Sequence, residues 1–341
     1  MNIIVLANQG VQKGDEYRES PLGPLKLLPK ECKVISVGAD FAELVENAVQ
    51  GAEATEAEVL FVASGTGKIL AEVMVKCPNL VWIQGLFAGL DHLQCPELVE
   101  AESRGRIVLT NAKGIFSSSL AEYVMLACGH FSKDVPRWQS NKSHKKWETF
   151  TVGELRGCTM GIVGYGSIGE ATAKLAKAYG MKVLACRRRP EVSKDDPNVD
   201  SVRGMDALED IMAQSDYLVL CAALTPSTEG MISEKVLKAA KKGQVFINIG
   251  RGKLVDEDAL HAVLRDGKTL RAAGLDVFST EPLPESSPLW DLPNVLISSH
   301  NADMTASFRH ESVACFVRNC SNFLQGGRES LVNVVSAKEG Y

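Results

Sequence analysis

The chain has 341 residues, 45% of them hydrophobic and 23% charged, with a formal net charge of −5. That length suits two domains better than one core, and the apolar share is ordinary for a globular protein. The acid excess argues against broad binding to nucleic acid or to a membrane surface, and no apolar run approaches the roughly 20 residues that a membrane helix needs.

The opening run from Met1 to Ala7 has no basic leader and no cleavage pattern, so it is expected to be a first strand rather than a signal peptide. Strand-like runs at 3–7, 33–37, 59–63, 80–84 and 107–110, with helical periods near 42–49 and 67–76, predict a compact βα domain. A long helix is expected over 117–131. The Lys/Trp-rich stretch after it holds one basic cluster, Lys142, His144, Lys145 and Lys146, which reads as a solvated face. A second βα series follows at 160–163, 182–185, 217–222, 244–249, 272–277 and 295–298, and a last helix is expected over 305–324. Near-continuous apolar strands separated by helices mean parallel sheets covered on both faces, giving an α/β chain of two doubly wound domains. Ligands in such sheets bind beyond the carboxyl ends of the strands, which places the expected reaction site in a cleft between the domains. The nine cysteines are scattered through apolar segments without a C-x-x-C pair. They read as free, small buried residues of a reducing compartment, the cytosol by default, and neither a disulfide frame nor a metal site is expected.

The most informative segment is the strand-like 159–163 followed by Gly164, Gly166 and Gly169, then a helical period over 168–179 and another strand. In the spacing G-x-G-x-x-G the first glycine permits a tight turn and the second lets a pyrophosphate approach the backbone. The third lets helix and strand pack closely, leaving phosphates at the positive helix end beside Ser167 and Ile168. The spacing alone is weak, but between a strand and a helix it predicts a dinucleotide site. At the end of the next strand an NAD site has Asp or Glu for the ribose 2′-hydroxyl. Here that position is Arg187, followed by Arg188 and Arg189, with no carboxylate before Glu191. Guanidinium groups attract a 2′-phosphate, so NADP(H) is preferred and NAD(H) remains possible. The alternative is a solvated charge run.

Three further polar groups follow apolar strands. Arg251 lies between glycines after 244–249, Asp276 stands at the end of the 272–277 strand with Glu281 in the next turn, and His300 ends the strand that opens at Val295. An arginine holds a carboxylate through two hydrogen bonds, and a histidine exchanges protons near neutrality, more readily as an acid when a carboxylate is beside it. Singly, each has a plainer reading: Arg251 a surface ion-pair residue, Glu281 a turn charge, His300 a satisfied semi-buried histidine. Together, behind a dinucleotide motif, they are the parts that reduce a 2-keto acid by hydride transfer.

From about residue 80 to the C-terminus the chain resembles the D-isomer-specific 2-hydroxyacid dehydrogenase family. Glu154-Leu-Arg-Gly with the glycine run to Gly169, Leu224-Thr-Pro-Ser-Thr-Glu-Gly230, Asn248-Ile-Gly-Arg-Gly252, Gly274-Leu-Asp-Val-Phe278 with Glu281-Pro282, and Ser287-Pro-Leu-Trp-Asp-Leu-Pro-Asn294 match its blocks in order. The resemblance implies that Arg251 binds the substrate carboxylate and polarises the keto group. It makes His300 the acid/base with Glu281 as its partner, and Asp276 the contact to the nicotinamide carboxamide. It adds Leu224, Thr228 and Ile249 to the cofactor-binding residues, and Ala88 and Gly89, in Phe87-Ala-Gly-Leu-Asp91, to the carboxylate-binding loop. Its fold implies a Rossmann dinucleotide-binding domain, 108–300, inserted in a flavodoxin-like substrate domain, 1–107 plus 301–341. The family has Pro before the catalytic His, where this chain has Ser299, which loosens the loop without removing the imidazole. The resemblance also implies a homodimer, in which Trp147 reaches the neighbour's site or else packs within its own chain.

The activity these readings favour is NADPH-preferring reduction of a small 2-keto acid, such as glyoxylate, hydroxypyruvate or a bulkier analogue, with no nucleic-acid or membrane partner. The alternative from another class is a dinucleotide-sensing co-repressor on the same fold, which no nuclear-localisation run or disordered tail favours. Glu281 counts against formate dehydrogenation, whose chemistry places Gln there, and no room remains for the regulatory domain that phosphoglycerate dehydrogenases often add.

Overall fold

The structure, a computed structural model, describes residues 1–8 and 22–339. Residues 9–21 and 340–341, included in the expected substrate domain, lie outside them. The chain forms two compact units, Met1–Ile115 with Thr305–Tyr341, and Phe116–Met304.

The first unit opens with β1 (Asn2–Leu6), β2 (Lys33–Gly38), α1 (Phe41–Glu46), β3 (Val59–Val62), α2 (Gly67–Lys76), β4 (Trp82–Gly85), α3 (Pro96–Ser103) and β5 (Val108–Thr110). The second holds α4 (Ser117–Ser132), α5 (Val135–Ser143), β6 (Thr159–Val163), α6 (Ser167–Ala178), β7 (Lys182–Cys186), β8 (Ser201–Arg203), α7 (Leu208–Gln214), β9 (Tyr217–Leu220), α8 (Glu234–Lys238), β10 (Gln244–Asn248), α9 (Glu257–Asp266), β11 (Leu270–Leu275) and β12 (Val295–Ile297). The chain then re-enters the first unit with α10 (Phe308–Gly326) and β13 (Val334–Val335).

The first sheet has the order β13-β5-β4-β3-β1-β2, parallel except for β13 against β5. Side chains alternate across it as the strand period requires. Ile4, Leu60 and Ile83 face Leu44, Leu70 and Leu98 of the first three helices. Ile3, Phe61 and Trp82 face the other way, onto Val313 and Phe316 of α10. Phe61 and Phe316 stack with centroids 4.5 Å apart. The return to this unit therefore has a packing reason: α10 covers a sheet face that would otherwise be bare.

The second sheet is parallel, in the order β12-β11-β10-β9-β6-β7-β8. The chain runs outward from β6 through β7 and β8, then returns beside β6 with β9 and continues the opposite way. That reversal makes the carboxyl ends of β6 and β9 a topological switch point, where doubly wound sheets bind ligands.

Two differences from the sequence reading have local causes. Val108–Thr110 is hydrogen-bonded to β4, so the crossing into the second unit comes after Ile115 rather than near residue 108. The return comes at Thr305, because the backbone of residues 300–302 is tied to Asp276 in the second unit. The two-residue β13 is too short to show a period. Among the described residues no helix is long and apolar enough to cross a membrane.

Candidate active site

The glycine turn after β6 shows a distinct steric reason for each glycine. Gly164 has φ 94°, and a Cβ there would fall 2.5 Å from the Ala222 backbone after β9. Gly169, in the first turn of α6, lies against Ile162, Gly164 and Tyr165, with 3.2 Å to a hypothetical Cβ. At Gly166 a Cβ would meet nothing within 4 Å. This open space adjoins the start of α6, which no side chain caps. First-turn N–H groups have no partner inside their own helix, so those of Ser167 and Ile168 are available to an anion. The turn fits the pyrophosphate of a dinucleotide.

Arg187 follows β7, the strand beside β6, and its N–H bonds Arg203 O at 3.0 Å. Its guanidinium donates to Ser193 Oγ. Ser193 is buried and comes from the short helical turn Pro190–Ser193, so that turn aims the half-buried Arg187 side chain. Arg188 and Arg189 are exposed. Ser193 was not singled out from sequence.

On the other side of β6, the loop after β9 is held by Thr228, whose hydroxyl donates to Ala223 O at 2.7 Å and accepts from Thr225 N at 2.8 Å. Thr228 thus shapes the loop carrying Leu224, which packs on the core of the unit. Ile249 is buried, with its N–H bonded to Leu220 O at 3.1 Å.

Arg251 stands at the end of β10 in a loop pressed between its neighbours. Asn248 closes the loop, accepting from Gly250 N at 3.0 Å and donating to Arg251 O at 3.2 Å. A Cβ at Gly252 would lie 1.8 Å from the Phe278 carbonyl carbon, and backbone cannot yield as a flexible side chain can. Gly252→Ala is therefore expected to push this loop off β11. Activity should fall by at least about tenfold, as misplaced binding groups do, with a lower Tm. Wild-type kinetics and Tm together would show that the contact is not needed.

Glu281 and His300 are brought together. Glu281 Oε1 accepts from Phe278 N at 2.9 Å, and Oε2 lies 2.7 Å from His300 Nδ1. An ionised carboxylate only accepts, so Nδ1 carries the proton and Nε2 is left for chemistry. The imidazole is 42% exposed, within reach of a small molecule. His300 also has φ 51°, a left-handed backbone uncommon among residues other than glycine.

Asp276, only 2% exposed, has a role the sequence did not assign. Its carbonyl accepts from His300 N at 2.8 Å. Its Oδ1 accepts from Ser298 Oγ at 2.6 Å, Asn301 N at 3.1 Å and Ala302 N at 3.2 Å. The carboxylate thereby organises the loop that presents the histidine. Arg251, Glu281 and His300 follow β10, β11 and β12, adjacent strands of one sheet, so all three lie along one carboxyl edge.

In the first unit, Phe87 O accepts from Ala112 N at 3.2 Å and Ala88 O accepts from Asn111 Nδ2 at 2.6 Å. These peptides are trans, so each following N–H points opposite to its carbonyl. The N–H groups of Ala88 and Gly89 therefore point away from Asn111 and Ala112 as a pair of donors. Asn111 was not singled out from sequence; its contact spans 23 residues.

Trp147 is 97% exposed, which excludes packing within its own chain. The segment bearing it is clasped to α5 by Glu148, which bonds Arg137 at 3.1 Å and Lys146 at 2.9 Å.

Comparison with known proteins agrees with this geometry. A model of the D-isomer specific 2-hydroxyacid dehydrogenase NAD binding domain matches residues 124–302. The D-3-phosphoglycerate dehydrogenase of Methanocaldococcus jannaschii is 31% identical over 314 residues, 91% of this chain; the chain spans about 57% of that protein's length. The hydroxypyruvate reductase of Blautia hydrogenotrophica is 33% identical over 270 residues, covering 77% of this chain and 81% of that one. The crystal structure of an NADPH-dependent glyoxylate/hydroxypyruvate reductase from Sinorhizobium meliloti, in complex with NADP and sulfate, superimposes with a TM-score of 0.79. It is 25% identical and covers 100% of this chain and 99% of that one.

Proposed function

The chain belongs to the D-isomer specific 2-hydroxyacid dehydrogenase family of NAD(P)-dependent oxidoreductases, and within it we propose a reductase of small 2-keto acids that prefers NADPH. The observation that carries this reading is the 2.7 Å Glu281–His300 pair on the same sheet edge as Arg251, in the unit with the glycine turn. The names of the Blautia and Sinorhizobium proteins support glyoxylate or hydroxypyruvate as substrate class.

A nicotinamide cofactor, when bound, would supply the hydride for C2 of the keto acid. Arg251 holds the carboxylate and the keto oxygen in one fork, which fixes the carbonyl and draws charge toward its oxygen. His300 Nε2 gives a proton to the alkoxide as it forms, while Glu281 keeps the ring's other nitrogen engaged. Ala88 and Gly89 offer carboxylate donors, by resemblance. Gly164, Gly166, Ser167, Ile168 and Gly169 take the pyrophosphate, with Leu224, Thr228 and Ile249 along the adjoining strand ends. Arg187 and Arg188 take the 2′-phosphate, and Asp276 takes the carboxamide in addition to its structural bonds. The exposed Trp147 supports a homodimer, to be tested by light scattering.

The test is NADPH oxidation with glyoxylate, hydroxypyruvate and bulkier 2-keto acids, with chiral analysis of the product. Turnover to a D-2-hydroxy acid is expected. Tight cofactor binding without turnover of any keto acid would overturn the reading in favour of a dinucleotide sensor.

A further inference from the structure

Residues 298–302 form no helix or strand, yet they present the imidazole. With φ at 51°, His300 needs its surroundings to hold it. Asp276 supplies part of that hold through its carbonyl and its Oδ1. Glu281 holds the ring itself, Leu275 O accepts from Ser298 N at 3.0 Å, and a further hold comes from α4, more than 170 residues earlier in the chain. Tyr123 Oη lies 2.8 Å from Ser298 Oγ, and Ser119 Oγ donates to Ala302 O at 2.7 Å. Ser298 has one hydroxyl proton, and the nearest acceptor for it is the Asp276 carboxylate at 2.6 Å. The phenol must therefore donate to Ser298. Burial, with the Asp276 charge adding to it, pushes the phenol up to about 12, so it keeps its proton through the working pH range.

We propose that Tyr123 is a positioning residue for His300, acting through Ser298 and Asp276 on the loop that presents the acid. This rests on His300 being that acid. Removing the phenol proton leaves Ser298 Oγ without a donor. Its own bond to Asp276 weakens, because hydrogen bonds in a chain polarise one another. Ser298 can then turn to Leu275 O, already 3.5 Å away. Oδ1 thereby loses one of its three donors, and the peptide carrying His300 loosens. The glycine turn and Arg251 make no part of this chain of bonds, and Asp276 keeps its backbone donors Asn301 N and Ala302 N. Binding is retained, and the loss falls on the step that needs the imidazole in place.

The test compares Tyr123→Phe, Ser298→Ala and the double variant. In Tyr123→Phe, kcat for hydroxypyruvate reduction should fall about tenfold, with both KM values within about twofold of wild type. The double variant should be little worse than Ser298→Ala alone, because the two hydroxyls act as one unit. In the cofactor-free protein, hydrogen exchange of the 298–304 peptide should quicken by about fivefold in Tyr123→Phe, while β6 and α6 stay unchanged. Unchanged exchange at 298–304, unchanged kcat, or losses that multiply in the double variant would each overturn the proposal. A fully active His300→Gln would overturn the acid assignment beneath it instead, and the two failures are thus distinguishable.

Discussion

His300→Gln is expected to reduce turnover of the preferred keto acid by roughly 10²–10⁴-fold, the range for loss of a general acid. Glutamine matches the imidazole in size and can still donate to Glu281, so the loop keeps its shape. It cannot give up a proton, and the developing alkoxide must then draw on water. The cofactor should bind as before, because the glycine turn and Arg187 lie at the ends of β6 and β7, whereas His300 ends β12 at the far edge of the sheet. Cofactor affinity measured by tryptophan fluorescence, beside kcat, separates the two effects. Near-wild-type turnover would remove His300 from the chemistry. A parallel collapse of cofactor affinity would mean that the loop, rather than the proton, had been lost.

How far the sequence carries depends on whether each residue's reason is local. Gly164, Gly166 and Gly169 were legible because turn, approach and packing act within six residues. Arg251 and His300 were legible because a polar group just past an apolar strand marks the ligand edge of a parallel sheet. The Glu281–His300 contact was implied by resemblance, since the two stand 19 positions apart. Tyr123, Ser119, Ser193 and Asn111 were not legible. Tyr123, Ser119 and Asn111 act on segments that only the folded chain brings near, and a serine on an amphipathic helix carries no pattern of its own; Ser193, six residues after Arg187, lies in a short helical turn without a period. Asp276 was half legible: its strand end marked it, but the three donors around Oδ1 come from a loop without a period. Trp147 stood between two readings until its exposure excluded one of them.

Exchanging Arg187 for Asp should narrow the cofactor preference sharply or invert it. The half-buried Arg187 ends the strand beside the glycine turn, held by Ser193, where an adenosine ribose lies in a dinucleotide bound across β6 and β7. NADPH carries a dianionic phosphate there and NADH a hydroxyl. A charge-assisted hydrogen bond is worth about 1.5–3 kcal/mol net. On the proposed reading, two such contacts from Arg187 and Arg188 would favour NADPH by roughly two orders of magnitude or more. Aspartate removes one attraction, adds a repulsion and gives the NADH hydroxyl an acceptor, so both cofactors shift in opposite directions. The change should fall on cofactor KM, because the reacting nicotinamide is remote from the ribose phosphate. Added salt should weaken NADPH binding more than NADH binding in the wild type, since Arg188 is exposed and its charge screened. That difference should shrink or reverse in Arg187→Asp, where salt screens the new repulsion as well as the remaining Arg188 attraction. The measurement is kcat/KM for both cofactors, with each protein, at two ionic strengths. A wild-type protein that prefers NADH would make the arginine run a solvated face and leave Ser193 a purely structural partner.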